Sequence, residues 1–317
     1  MGIVYDPVSV NAASGTELMM RGLEKRLDLS FSNHFSIGRA IMLFPKDNKT
    51  KIYWTHNLPG QMNISEVSES AALHVSNRWK FVDKIVYVSE WQKQFYQRHY
   101  QFNEADQSRF KVLRNAITPI PQHTKPTDKI RLIYMSVPER GLFLLLNAFD
   151  KIAPKYPNVE LEVFSSYKIY GIPGRDHDFR NLFARMQSNP QIKYNGTVSN
   201  QEIHNALQRA HIFAYPSTFM ETSCIALVEA MSAGCLCVHS NIAALPETAK
   251  GFTNMYDYSN NRAMHEVMFE KKLEEAILQV QSGNTGHLNK QKEYTDANYS
   301  WDTRIQEWND YLISNAK

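Results

Sequence analysis

Apolar positions along this chain recur with two periods, and the two take turns. The second half shows this most regularly. IRLIYMS (130–136) reads as a short apolar strand, and LFLLLNAFDKIA (142–153) has the length and spacing of a helix. VELEVFSS (159–166) alternates as a strand, FRNLFARMQ (179–187) is helical, IKYNG (192–196) is a strand and NQEIHNALQRA (200–210) a helix. HIFAYP (211–216) then reads as a strand, TSCIALVEAMSAG (222–234) as a helix closed by Gly234, and CLCVHS (235–240) as a strand. Strand and helix alternating over short connections predict a parallel sheet covered by helices.

The first half repeats the theme less regularly. A strand near 1–5 precedes a glycine-containing loop and the helix TELMMRGLEKRL (16–27). KIYWTH (51–56) is a strand, a helix is expected around 68–80, KIVYVS (84–89) is a strand, WQKQFYQRHY (91–100) a helix and FKVLRN (110–115) a strand. Segment 28–50 receives no element. ITPIPQHTKPTD (117–128) has three prolines and no periodicity, which reads as an interdomain linker. The expected organisation is therefore a first domain over 1–123 and a second over 124–299, two α/β domains with a ligand cleft between them. In SWDTRIQEWNDYL (300–312), Trp301, Ile305, Trp308 and Leu312 follow helical spacing. Such a helix needs a surface for its tryptophans, so 300–317 is expected to cross back onto the first domain. No internal repeat or low-complexity tract breaks the pattern.

Composition adds limits. The chain has 317 residues, 43% hydrophobic and 21% charged, as in a soluble globular protein large enough for two cores. A formal charge of +3 does not point to nucleic acid. Residues 1–123 hold 15 Lys and Arg against 11 Asp and Glu, a mild excess compatible with peripheral contact to an anionic membrane. Met1-Gly2-Ile3 opens no long apolar run, so neither a signal peptide nor a membrane span is expected, and Asp6 stands where a myristoylation signal needs Ser or Thr. Cys224, Cys235 and Cys237 offer neither a disulfide framework nor a CxxC pair. The expected compartment is the cytoplasm.

The chemistry concentrates in METSCIALVEAMSAG (220–234), where Glu221 and Glu229 stand eight positions apart across the expected helix start. In a parallel α/β sheet, ligands sit at the carboxyl ends of strands, where the free N–H groups and dipole of the next helix favour an anion. Small residues at 222–224 let a phosphate approach that backbone. Glu221 would stand at the helix mouth and Glu229 roughly 12 Å further along the axis, at about 1.5 Å per residue. Each carboxylate can accept from two neighbouring hydroxyls, as on a ribose or hexose. A nucleoside diphosphate sugar fits this arrangement; an acidic helix start with one inward-looking Glu fits it too.

Glu-x7-Glu followed by Ala-Met-x-Ala-Gly and a strand resembles the signature of family 4 (group 1) glycosyltransferases, which have the GT-B fold. IYMSVPERGLFLLLNAF (133–149), VLRNAI (112–117), YSWD (299–302) and IVYVSEWQKQ (85–94) resemble further parts of that family, so that the likeness covers most of 51–317. It implies two Rossmann-like domains and a retaining transfer of a hexose-type sugar from a nucleoside diphosphate sugar, such as a UDP-sugar, to an acceptor hydroxyl. No metal or other cofactor is implied. Glu229 would hold the ribose and Glu221 the transferred sugar, without serving as a covalent nucleophile. The backbone around Thr222, Ser223, Cys224 and Ile225 would meet sugar and diphosphate. Arg140, whose planar fork suits phosphate oxygens, would stabilise the leaving group. Gly15 and Thr16 sit where the family has a glycine-rich loop. His56, at the end of KIYWTH and before a turn, would contact the reacting sugar; bonding to the loop backbone is its other reading.

The chain also departs from that pattern. Met135 stands where the family commonly has a second phosphate-binding Arg, and Thr222-Ser223 replace its usual Phe-Gly. The short first domain leaves the acceptor (a glycan, lipid-linked or protein hydroxyl) open, and leaves room for an oligomer that completes the site. Asp176-His177-Asp178 matches a metal-binding Asp-x-Asp only formally, since no apolar strand precedes it. Histidines without metal-ligand spacing indicate no zinc site, and no GxGxxG, P-loop or GxSxG motif marks a nicotinamide enzyme, kinase or hydrolase. The rival readings are a sugar-nucleotide epimerase on the same fold and a catalytically silent nucleotide-sugar-binding subunit.

Overall fold

The computed structural model describes residues 3–5, 14–39, 41, 44–59, 61 and 78–316. Most of the helix expected around 68–80 lies outside the described residues. The chain forms two compact units, Met1–Ala116 with Trp301–Lys317, and Ile117–Ser300.

The first unit holds five parallel strands, β1 (Val4–Tyr5), β2 (Phe35–Gly38), β3 (Thr50–Trp54), β4 (Lys84–Tyr87) and β5 (Phe110–Val112), ordered as they occur in the chain. Ile37 stands opposite both Val4 and Ile52, and Val86 opposite both Trp54 and Lys111. Strand β2 fills part of the segment that received no element. Its four residues FSIG are all buried, too short a run to stand out as a pattern. The helices Gly15–Glu24 and Glu90–Tyr100 flank the sheet; Ser89 caps the second by accepting the Gln92 N–H at 3.0 Å. Tyr53, Trp79, Tyr87 and Tyr96 form an aromatic core with Ile85.

The terminal helix Trp301–Asn315 belongs to this unit. Trp308 is fully buried, edge-on to Trp54 with ring centroids 5.2 Å apart. Trp301 lies so close over Gly22 that a Cβ there would collide with its ring, and the Arg26 guanidinium covers it at 4.6 Å. Ile305 is only half-buried, while Arg304, paired with Glu307, is buried in its place.

The second unit holds six parallel strands, β6 (Ile130–Met135), β7 (Val159–Phe164), β8 (Ile192–Tyr194), β9 (Ile212–Tyr215), β10 (Leu236–Ser240) and β11 (Asn254–Tyr256), in the order β11-β10-β9-β6-β7-β8. The chain winds outward from β6 to β8, then returns to the other side of β6 for β9. The reversal between β6 and β9 is where ligands sit in such sheets, beyond the carboxyl ends of the strands. Helices Leu142–Ile152, Arg180–Gln187, Asn200–Arg209, Ile225–Ser232, Leu245–Ala249, Arg262–Gln281 and Leu288–Tyr299 cover it. Leu132, Leu145, Leu161, Phe213 and Leu227, all fully buried, lie in the core.

The segment 117–128 is not a free linker. The Ile117 N–H donates to the Tyr299 carbonyl at 2.7 Å, and the Ile120 N–H to Ser232 Oγ at 2.9 Å. Both isoleucines are buried, and the Lys125 amine bonds the Ala210 carbonyl. Prolines erase local periodicity, but the isoleucines between them anchor the segment within the second unit, which begins at Ile117 and ends at Ser300.

Candidate functional site

The reversal point is occupied by an ion pair. Arg140 ends the single turn Pro138–Arg140 after β6, and Glu221 follows β9. One guanidinium nitrogen of Arg140 donates to both Glu221 oxygens, at 3.0 and 3.2 Å. The Tyr215 hydroxyl donates to the same carboxylate at 2.5 Å, and the Ala244 N–H to the Glu221 carbonyl at 3.0 Å. The other Arg140 nitrogen donates to the Tyr170 hydroxyl at 3.2 Å, and the guanidinium lies 4.2 Å over the Phe219 ring.

Glu221 is 4% exposed, and these donors replace the water that its oxygens lose on burial. Burial opposes the charge of Arg140, but Glu221 overrides it and raises the guanidinium's proton affinity above its ordinary value. Burial keeps the phenols of Tyr134 and Tyr215 protonated, and burial with Glu221 nearby does the same for the Cys224 thiol, so none of the three is a nucleophile at neutral pH.

Gly141 makes the approach of the two loops possible. Its φ is +97°, and a Cβ would run into the Pro216 carbonyl oxygen. Thr218 donates to the Glu139 carbonyl at 3.2 Å, tying the same loops together.

The helix after Glu221 begins at Ile225, not at Thr222, with Cys224 as its N-cap and no side chain capping it. Thr222 and Cys224 are buried; Ser223 and Ile225 are partly exposed beside the helix start. The axial spacing expected between the glutamates assumed helix from residue 221 onward. Only the steps from Ile225 to Glu229 are helical, about 6 Å at 1.5 Å per residue. Glu229 lies in the second turn, partly exposed, with Oε1 3.3 Å from His204 Nε2. That contact raises the proton affinity of His204.

The other expected site residues lie in the first unit. Gly15 opens the helix Gly15–Glu24 with Thr16 in its first turn, and Ser14, the N-cap, bonds the buried Glu17 carboxylate. Arg39 stands 3.6 Å from Glu17. His56 follows β3, 8% exposed and 4.5 Å from the Trp54 ring. Burial, then Arg39, pushes its pKa down to about 3, so it is a neutral imidazole at physiological pH.

Of the residues singled out in the sequence, the structure joins Arg140 and Glu221 directly, while 222–225 lead into the next helix and Glu229 lies in its second turn. Tyr170, Tyr215, Phe219 and His204 were not foreseen. Tyr215 closes a buried strand six positions before Glu221, a signal that was available; Tyr170 and His204 arrive from other βα units and left none. Asp176 is structural: it accepts from Ser166 Oγ at 2.5 Å and from the Tyr167 N–H at 2.7 Å, closing its own loop. Among the described residues, no three His, Cys, Asp or Glu gather as a metal site.

Known proteins share this chain's sequence pattern and architecture. Residues 118–295 match the family model for glycosyl transferases group 1. One component of human phosphatidylinositol N-acetylglucosaminyltransferase is 25% identical over 177 residues, 54% of this chain and 34% of that protein. The phosphatidyl-myo-inositol mannosyltransferase of Mycobacterium tuberculosis H37Rv is 28% identical over 107 residues, 34% of this chain and 26% of its own. The chain thus spans about a third or less of the length of these curated relatives. Among solved structures, a glycosyltransferase from Rickettsia africae superposes with TM-score 0.66 at 14% identity, covering 89% of this chain and 76% of that one. Anabaena HepE in complex with UDP-glucose superposes with TM-score 0.64 at 15% identity, covering 98% and 79%. Two parallel α/β sheets with these likenesses make the fold GT-B. With the family model matched over more than half its length, the chain belongs to the group 1 glycosyl transferases.

Proposed function

We propose that this protein is a retaining, metal-independent glycosyltransferase that moves a hexose-type sugar from a nucleoside diphosphate sugar to an acceptor hydroxyl. The observation that carries the reading is the Arg140–Glu221 pair at the strand reversal, followed at once by an uncapped helix start and Glu229. In the reaction, the bond from the anomeric carbon to the diphosphate oxygen breaks. The acceptor oxygen bonds to that carbon from the same face, and its proton passes to the departing diphosphate. Arg140 is oriented by Glu221 on one edge and Tyr170 on the other, and stabilises the charge that develops on the leaving group together with the helix N-terminus. Glu221 meets the transferred sugar and Glu229 the ribose. His56 acts as a neutral hydrogen-bonding imidazole, not as an acid.

A uridine donor is supported by the HepE complex with UDP-glucose. A lipid-linked acceptor is supported by the relatives named for phosphatidylinositol, and fits the mildly basic first half. A cytoplasmic location belongs to the same proposal.

The test is Arg140→Ala. Binding of the nucleoside diphosphate, read by calorimetry, should weaken by about 1.5–3 kcal/mol, the scale of a charge-assisted hydrogen bond, while binding of the free nucleoside holds. Equal losses for both ligands would make Arg140 structural. Transfer of labelled sugar to a separate acceptor, undiminished by excess EDTA, separates this reading from an epimerase, a metal-dependent enzyme and a silent binding protein.

A further inference from the structure

His204 and Glu229 sit on helices that follow successive strands of the second unit. His204 lies on Asn200–Arg209 after β8, and Glu229 on Ile225–Ser232 after β9. Both positions are firmly held. The first helix is fixed at its start by a reciprocal cap, in which Ser199 accepts the Glu202 N–H while the Glu202 carboxylate accepts the Ser199 N–H at 2.9 Å. Ala206 and Leu207 are buried on its inner face. In the second helix, Val228 and Ala230 on either side of Glu229 are buried, while Ile225, Ala226 and Glu229 are partly exposed. Those three share one face by the i, i+3, i+4 relation, so the Glu229 carboxylate lies on the face that carries the open helix start.

A carboxylate side chain only 17% exposed loses most of its water. One N–H from His204 satisfies Oε1 and restricts rotation of the group. Among the described residues no other donor meets this carboxylate, so that Oε2 and the remaining lone pairs of Oε1 are left for donors from a ligand. A freely rotating carboxylate would have to be ordered when the ligand arrives, at an entropic cost; a carboxylate pinned on one oxygen is already ordered. The same contact raises the proton affinity of His204, which strengthens the hydrogen bond as the imidazole becomes charged.

We propose that His204 is a positioning residue that sets the Glu229 carboxylate to accept the two adjacent hydroxyls of the donor's ribose, and so controls selection of ribonucleotide over deoxyribonucleotide donors. The proposal rests on the reading of Glu229 given above. His204 itself touches no ligand.

The experiment takes whichever of UDP, GDP and ADP binds the full chain most tightly. Its affinity and that of its 2′,3′-dideoxy counterpart are then measured by calorimetry for the natural protein and for Glu229→Ala, His204→Ala and His204→Gln. The natural protein should prefer the ribonucleotide at least tenfold, and Glu229→Ala should abolish that preference. His204→Ala should cut it three- to tenfold by weakening ribonucleotide binding alone. His204→Gln, whose amide N–H can reach the same oxygen, should restore most of it. In turnover, His204→Ala should raise the donor KM and spare kcat. A preference that survives Glu229→Ala overturns the ribose reading of Glu229 and this inference with it, as does a failure of all three nucleotides to bind. A preference lost in Glu229→Ala but unchanged in His204→Ala overturns the role of His204 alone. Should His204→Ala not fold, His204→Gln decides against His204→Leu, which keeps bulk without a donor: equal preference in those two variants overturns the role.

Discussion

Arg140 and Glu221 are 81 positions apart in sequence and 3.0 Å apart in space, and the function proposed above makes that pairing the link between donor binding and chemistry. The glutamates should separate in kinetics. On the proposed reading, Glu229→Gln keeps the size of the side chain but gives up one acceptor for the ribose, which binds alike in ground and transition states; the donor KM should rise about tenfold with kcat held. On the same reading, Glu221→Gln weakens contacts to a sugar ring that gains positive charge only as the bond breaks. It should lower kcat by about tenfold or more, with nucleoside diphosphate affinity nearly unchanged. Steady-state kinetics and calorimetry on both variants check this, and swapped phenotypes would mean the donor lies the other way along the helix. Arg140, Glu221 and Glu229 were legible as candidates in the sequence, beside strand ends and a helix start, while the roles given to them rest on the resemblance to the family. Tyr170 and His204 were not, because each serves the site from a different βα unit, and nothing in a tyrosine or histidine on its own element names its distant partner.

Elements were legible where they carried a long periodic pattern and obscure where they did not. The helix Leu142–Ile152 has seven buried apolar positions and was found within a residue of its ends. Strand β2, with four residues, carries too short a pattern to show, and the proline-rich segment after Ile117 reads as a linker because its anchors are backbone hydrogen bonds to Tyr299 and Ser232. The helix starts at Ile225, three residues later than the sequence predicts, since Thr222 and Ser223 are good cap residues that the chain uses instead in a bend. Gly141 is the element-scale pivot. It joins a single turn to a helix at φ +97° with the Pro216 carbonyl against it. Gly141→Ala should cost at least about 1–3 kcal/mol, the usual cost of a residue forced into sparsely populated backbone. Because Arg140 is the adjacent residue, diphosphate binding should fall in the same variant. Chemical unfolding and nucleotide titration measure the two effects; an unchanged midpoint would mean the loop relaxes.

Over the whole molecule, buried histidines set the response to acid. Burial holds His56 near a pKa of about 3 and His239 near about 4, against 6.5 for a free imidazole. The unfolded chain therefore binds more protons than the folded one below about pH 6.5. Their contribution to stability is full above that pH and declines as pH falls toward 4, by up to about 1.4 kcal/mol per pH unit for each histidine. Urea midpoints from pH 7.5 to 4.5 should show that slope, and His239→Gln should make it shallower. The division into units was legible only in outline, since their exact limits depend on backbone bonds around Ile117 and Ser300. Those limits bear on how the protein is made. The second unit is one continuous stretch, whereas the first is split, with Trp308 from the last seventeen residues sealed against Trp54. On a ribosome the first unit to begin is thus the last to be completed: its sheet must wait, unsealed, while Ile117–Ser300 is translated and folds. A chain stopped after Ser300 should keep a protease-resistant second unit while residues 1–116 are digested, and a separately synthesised peptide of residues 301–317 should restore their protection.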